Sequence, residues 1–335
     1  MGMQDKARGP HFGGRRGLVG GRKILAAAAL VASSSVPLVV SATEGGLSHY
    51  LPGGIATLID LAPTKPGWVV EPMYLHYGGK TSASTTIPIA GTVTGGLHAD
   101  SDALLLGGLY ALNQTVLGAH YSFGAYLPYV WIDAKAEVSS ALGTLMRRDS
   151  TSGVGDMLLF PAMLGWKSGF WQINALLPIY APTSEYKVGR LANTGLNYWT
   201  FDPIAGVSYN NEEIGFNAAL HTGIVVNTQN PDTDYHSGSI FHLEGSMQQL
   251  LPAGPGFLGI GAETFYLQQV TADSGAGAKF GSFEGRTVGV GPVLTYVLPR
   301  GEKQTLVAEF RWLPEVEVQR RMKGDYFWLK LVYQF

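Results

Sequence analysis

Five charged side chains of this 335-residue chain sit inside runs of otherwise apolar or aromatic residues: Glu244, Glu263, Glu309, Arg311 and Lys330. Glu309 and Arg311 flank Phe310, so on an extended strand both fall on the face opposite the aromatic. His242 precedes Glu244 on the same face, and Gln269 closes the run that carries Glu263. If such a strand crosses a bilayer, an Arg or Lys facing lipid costs ~2–4 kcal/mol at the midplane. These groups are therefore expected to line a wet interior. The chemistry open to them is to orient a polar group on a passing solute, or to act as an inert network that keeps an interior from collapsing. A second candidate lies upstream, in a Gly- and Pro-containing segment with Glu44, His49 and Tyr50. Folded back into an interior, His49 and Tyr50 would offer a hydrogen bond and an aromatic face to a phenolic solute.

Other chemistries find little support. The chain has no Cys, which removes disulfides, thiolate metal sites and a Cys nucleophile together. Among its eight His residues only His236 and His242 are close in sequence, and six residues of strand separate them by about 20 Å. No H-E-x-x-H run, G-x-S-x-G elbow, phosphate loop or nucleotide fingerprint occurs. No metal and no cofactor are expected. His120 with Ser122, or His242 with Ser246, supplies the residue types of a barrel hydrolase without a diagnostic spacing, so no catalytic residue is assigned. With a formal charge of -2 and no basic block beyond residue 23, a nucleic-acid partner is not expected either.

The elements that would position these residues are strands. Gly is abundant (45 residues), charged residues make up only 14% and hydrophobic ones 46%. Residues 1–42 read as a signal peptide: a basic start with Arg15, Arg16, Arg22 and Lys23, an apolar run over 24–32, and a small-residue site ending at Ala42. Its removal takes six of the 23 basic and one of the 25 acidic side chains, leaving a net charge of -7. Residues 43–67 form a pre-barrel segment, a possible plug, and 68–335 the barrel. Strands are predicted near 68–78, 103–113, 115–134, 155–167, 169–181, 197–210, 213–226, 237–251, 256–270, 285–298, 303–317 and 326–335. Short turns at 113–114, 167–168, 210–212, 252–256 and 299–302 alternate with longer polar links at 79–102, 135–154, 182–196, 227–236, 271–284 and 318–325. Tight turns at one end and long loops at the other are the asymmetry of an antiparallel transmembrane β-barrel of about twelve strands, with both termini on the periplasmic side.

Period-2 alternation points the same way. In the last strand Phe327, Leu329, Leu331, Tyr333 and Phe335 share one face, and Tyr326, Trp328, Lys330, Val332 and Gln334 the other. Aromatics near strand ends (Trp68, Tyr77, Tyr129, Trp131, Trp166, Trp171, Tyr198 and Trp199) are expected to form interfacial girdles. The lipid bilayer is thus one partner, and the terminal Phe335 is a signal that outer-membrane assembly machinery would read.

Several short islands, in a fixed order over residues 44–335, carry a family resemblance. They are Glu44-Gly-Gly-Leu-Ser-His-Tyr-Leu-Pro-Gly53, Gly153-Val-Gly-Asp156, Tyr235-His-Ser-Gly238, Gln268-Gln-Val-Thr-Ala-Asp273, Gly289-Val-Gly-Pro292 with Tyr296, and Lys323-Gly-Asp-Tyr-Phe327. Together they resemble the meta-pathway phenol-degradation family of exported proteins, with Ser239 standing where that pattern has an acidic residue. The resemblance implies an outer-membrane channel-like barrel, often encoded beside aromatic catabolism, with no established enzymatic activity. The expected function is passive uptake of small hydrophobic or aromatic compounds across the outer membrane. A non-transport structural or surface barrel is the alternative, and an outer-membrane hydrolase a more distant one.

Overall fold

A computed structural model describes residues 48–81, 86–89, 92–140, 143–278, 284–301 and 304–335. Glu44 and the expected signal peptide lie outside the described residues.

The wall begins with β1 (Gly67–Lys80), followed by a small separate hairpin, β2 (Thr86–Ile89) and β3 (Thr92–Gly95). It continues with β4 (Leu97–Val116), β5 (Ala119–Ser140), β6 (Gly143–Val154), β7 (Met157–Ser168), β8 (Trp171–Leu176) and β9 (Ile179–Ala181). Then come β10 (Thr200–Phe201), β11 (Ile204–Asn211), β12 (Phe216–Asn227), β13 (Ile240–Ala253) and β14 (Gly256–Gln269). The last three are β15 (Arg286–Arg300), β16 (Gln304–Gln319) and β17 (Lys323–Gln334). All pairings are antiparallel, and β1 pairs with both β4 and β17, which closes the sheet. At the seam Trp68 and Phe335 exchange two backbone hydrogen bonds of 2.9 Å.

Three consecutive crossings are interrupted, each by two residues: Gly155-Asp156 between β6 and β7, Leu177-Pro178 between β8 and β9, and Asp202-Pro203 between β10 and β11. Each broken pair counts as one crossing, so the wall has twelve. It stays bonded across the breaks through Gly155 N to Pro128 O, Leu177 N to Ala162 O and Asp202 N to Pro178 O. Pro178 and Pro203 have no N–H to give the ladder, which is a local reason for the last two interruptions.

Alternation sorts the residues as expected. Leu329, Leu331, Phe310 and Trp312 are exposed on the outside, whereas Lys330, Glu309, Arg311, Glu244 and Glu263 are at most 1% exposed, inside. Two girdle assignments fail: Tyr77 and Tyr198 point inward. Tyr77 gives its hydroxyl to Glu315 and Tyr198 sets its ring edge against His49, polar contacts that the lipid face does not offer.

The connections also differ from expectation. The β4–β5 hairpin turns at Leu117-Gly118, both at positive φ (52° and 76°), and β4 continues through Asn113 and Gln114, where its register against β5 shifts. A two-residue hairpin loop needs two such residues, and Gly118 supplies one without strain. Much of the polar links at 79–102 and 135–154 is strand: Asp100 pairs with Asp133, and Asp133 with Ser150. Polarity there marks wall that rises beyond the oily belt. Between β16 and β17 only residues 320–322 remain, with Arg320 at φ 55°.

Candidate functional site

Residues 48–66 lie within the barrel, running from the long-loop half toward the short-turn end. Near the upper end His49 pairs with Asp156 (2.9 Å) and Thr200 (2.7 Å), beside two of the wall interruptions. Tyr50 donates its hydroxyl to Glu244 and stacks on His242, with ring centroids 3.8 Å apart. Trp328 Nε1 donates to Pro52 O at 2.9 Å. Further down, Ala62 N donates to Asn174 Oδ1 (3.3 Å) and Gln172 Nε2 to Ala62 O (2.9 Å).

Between these points the segment makes a single turn of 3-10 helix, Leu58–Asp60, and its ionic anchor. Asp60 Oδ2 faces Arg311 Nη2 at 2.5 Å, and Asp60 Oδ1 accepts from Lys330 Nζ at 2.7 Å. Lys330 Nζ also donates to Gly54 O (2.7 Å), and Arg311 to Gly53 O and to Thr57 Oγ1. Glu309 accepts from Thr57 (2.9 Å), Arg311 Nε (2.6 Å) and Thr295 (2.7 Å), while Glu263 lies 3.5 Å from Arg311 Nη1. Burial alone would lift the Asp60 carboxyl, but Arg311 and Lys330 more than offset it and hold it well below the usual carboxylate range.

The anchor is one-sided. Its wall residues come from β14, β15, β16 and β17, with Glu244 and Ser246 of β13 beside them. On the opposite side the segment leaves a gap against β1, β4, β5 and β7, seen as two adjoining chambers. The upper chamber, about 210 Å³, is lined by apolar residues such as Leu75, Ala103, Val130 and Ile132, with Arg321 and Met322 at the loop end. The lower, about 90 Å³, is lined by Ile55 and Ile59 of the segment and by Val69, Met73, Leu109 and Phe160 of the wall. Both chambers include His49, Leu51, Leu105, Leu158 and Tyr180. The polar groups of the lower chamber include Asp60 and Glu71, and Glu71 accepts from Tyr126 at 2.5 Å.

The structure thus brings His49, Tyr50, His242, Glu244, Glu263, Glu309 and Arg311 into one interior, with Lys330. Of the site candidates His49 lines both chambers and Tyr50 the upper one. Gln269 stands apart, donating to Asp273 (2.7 Å) and Thr271 O (3.0 Å) near the long-loop end. His242 pairs with Asp202 at 2.8 Å and Ser246 donates to Ala56 O, so these two do not form a nucleophilic pair; Ser122 Oγ has no partner, so His120 does not engage it. Among the described residues no group of three His, Asp or Glu side chains is arranged to hold a metal. Residues that strand alternation does not single out include Asp60, Glu71, Asp202 and Arg321. Of these Asp202 had a local sign, a charge followed by Pro203 inside a predicted strand.

A closed antiparallel barrel with an oily outer belt and buried interior charges is the architecture of an outer-membrane protein, and the outer membrane is where this protein resides. The sequence profile described as "Putative MetA-pathway of phenol degradation" matches residues 81–331. The chain belongs to that family. Among solved structures it is similar to an outer-membrane channel from Pseudomonas putida F1, with a TM-score of 0.61 and 18% identity over 85% of this chain and 100% of that one. The β domain of the Bordetella autotransporter BrkA is more distant, with a TM-score of 0.44 and 12% identity over 81% of this chain and 100% of that one. No curated protein sequence matches the chain.

Proposed function

We propose that this protein is a passive outer-membrane route for small hydrophobic or aromatic compounds, serving aromatic catabolism, and that it carries out no chemical reaction on them. The observation that carries this reading is the one-sided ionic anchoring of residues 48–66. Arg311 and Lys330 tie the segment to β16 and β17, and Glu244 and Ser246 tie it to β13. His49 also reaches Asp156 and Thr200, and Ala62 reaches β8, but the gap beside β1, β4, β5 and β7 is walled mostly by Leu, Ile, Val, Met and Phe side chains. A water-filled pore for hydrophilic solutes would have the reverse lining. In this reading the segment is a plug that narrows the lumen to an apolar track, and the buried charges hold it in place. His49, which lines both chambers, is the candidate for solute contact, while the hydroxyl of Tyr50 is already committed to Glu244. The strand ending at Phe335 is the proposed contact for the assembly machinery.

The similarity to an outer-membrane channel and the family's link to phenol degradation support the same function. The test is uptake of radiolabelled toluene or an alkylphenol into vesicles whose outer leaflet is lipopolysaccharide, which retards such compounds. Vesicles bearing the protein should fill faster than empty ones. Equal rates for every solute tried would favour a structural or surface role.

A further inference from the structure

The upper chamber holds a charged group with an unmet valence. Between β16 and β17 the chain reverses over residues 320–322 with Arg320 at φ 55°, and Met322, 4% exposed, packs into an apolar cluster with Leu97, Ala134 and Leu191. That packing fixes the turn over the chamber and makes Arg321 part of its lining. Arg321 Nη1 is buried and has no hydrogen-bond partner, the one buried polar side-chain atom of the chamber lining in that condition among the described residues.

Glu315 lies near enough to attract the guanidinium, but among the described residues neither carboxylate of the chamber lining makes a hydrogen bond or ion pair with it. Glu315 Oε2 accepts from Gly324 N (2.6 Å) and from the Tyr77 hydroxyl (3.3 Å). Asp156 accepts from His49, from Ser184 N (3.1 Å) and from Leu196 N (2.8 Å). A guanidinium nitrogen held in a mostly apolar chamber is a poor arrangement for a neutral hydrocarbon, because its N–H groups stay unsatisfied when the hydrocarbon enters. It suits a carboxylate, whose two oxygens match the guanidinium fork.

We infer that the upper chamber receives amphipathic monocarboxylates, aromatic or short-alkyl acids, with the carboxylate on Arg321 and the apolar body among Leu75, Ala103, Val130 and Ile132. The inference rests on the transport reading and narrows its substrate class to acids over the corresponding neutral alcohols. Arg321 is then a specificity-determining residue at the mouth of the track.

Benzoate and benzyl alcohol, which share a ring and differ at the polar head, provide the test. Their binding to the full-length protein in lipid nanodiscs is measured by isothermal titration calorimetry, independently of flux. The wild type should bind benzoate about tenfold or more tightly than the alcohol, the size expected for one charge-assisted pair. Arg321→Gln should abolish that preference, weakening benzoate binding about tenfold or more, while Arg321→Lys should keep part of it. Equal affinities of the wild type for the two ligands would overturn the inference, as would a preference that survives in Arg321→Gln. If Arg321→Gln does not fold, the wild-type comparison and Arg321→Lys decide. Loss of vesicle uptake with benzoate binding intact would sink the transport reading and leave the carboxylate site standing.

Discussion

Arg311 is fully buried, within 4 Å of carboxylate oxygens of Asp60, Glu309 and Glu263. Replacing it with Met leaves three buried carboxylates without their common partner, a change that costs on the order of 3–5 kcal/mol. Arg311→Met should therefore lower the urea midpoint and expose residues 48–66 to protease, detected as new cleavage in intact vesicles. The depressed Asp60 carboxyl sets the sign of the pH response. Its stabilising share is fully present above the ordinary carboxylate value of about 4 and is lost only as pH falls through the depressed one. Lowering the pH from about 7 to about 4 should therefore leave the Asp60 anchor ionised in the wild type, and conductance across planar bilayers should not rise through its loss. Asp60→Asn should raise it at both values. The interior charges on strands were legible in the sequence because a period of two fixes their face: Glu309 and Arg311 could not lie with Phe310. Asp60 was not, since its segment has no period and its partners are about 250 and 270 positions away.

At the scale of elements, β4 and β5 show how closely the wall is packed. A Cβ added at Gly124 would lie 2.1 Å from Gly108 O and 2.8 Å from Leu109 Cα, both backbone atoms of the neighbouring strand. At Gly118, in the turn joining the same strands, an added Cβ meets nothing within 4 Å, and only the positive φ of 76° is unfavourable. Gly124→Ala should sharply reduce the fraction of protein that shows heat-modifiable migration on a gel. Gly118→Ala should fold and lose only about 1 kcal/mol. The twelve crossings could be read from the sequence because each contains a run of alternating residues long enough to span a bilayer. Their upper ends could not, since Asp100, Asp133 and Ser150 look like loop residues until their pairing is known. The interruptions were hidden for related reasons: Gly155-Asp156 falls at the end of a polar link, and Leu177-Pro178 falls where hydropathy does not change sharply, so only the register shows the breaks.

For the whole molecule, the arrangement of polar and apolar surfaces inside the barrel is the governing property. Removing residues 48–66 would take away the inner wall of the apolar track and leave Glu244, Glu263, Glu309, Arg311 and Lys330 facing open space. The shortened protein should conduct ions in planar bilayers with a larger unitary current than the intact one. A current no larger than that of the full chain would show that the segment does not narrow the lumen.

The one-sided seating of that segment has a consequence for the cell. Water and its dissolved ions wet oily constrictions poorly, whereas oil-soluble molecules pass through them readily. On the proposed reading, a passage built in this way would act as an electrical insulator while remaining permeable to oil-soluble molecules. The bacterium would then admit lipophilic nutrients through it without short-circuiting its envelope or opening a path for hydrophilic toxins.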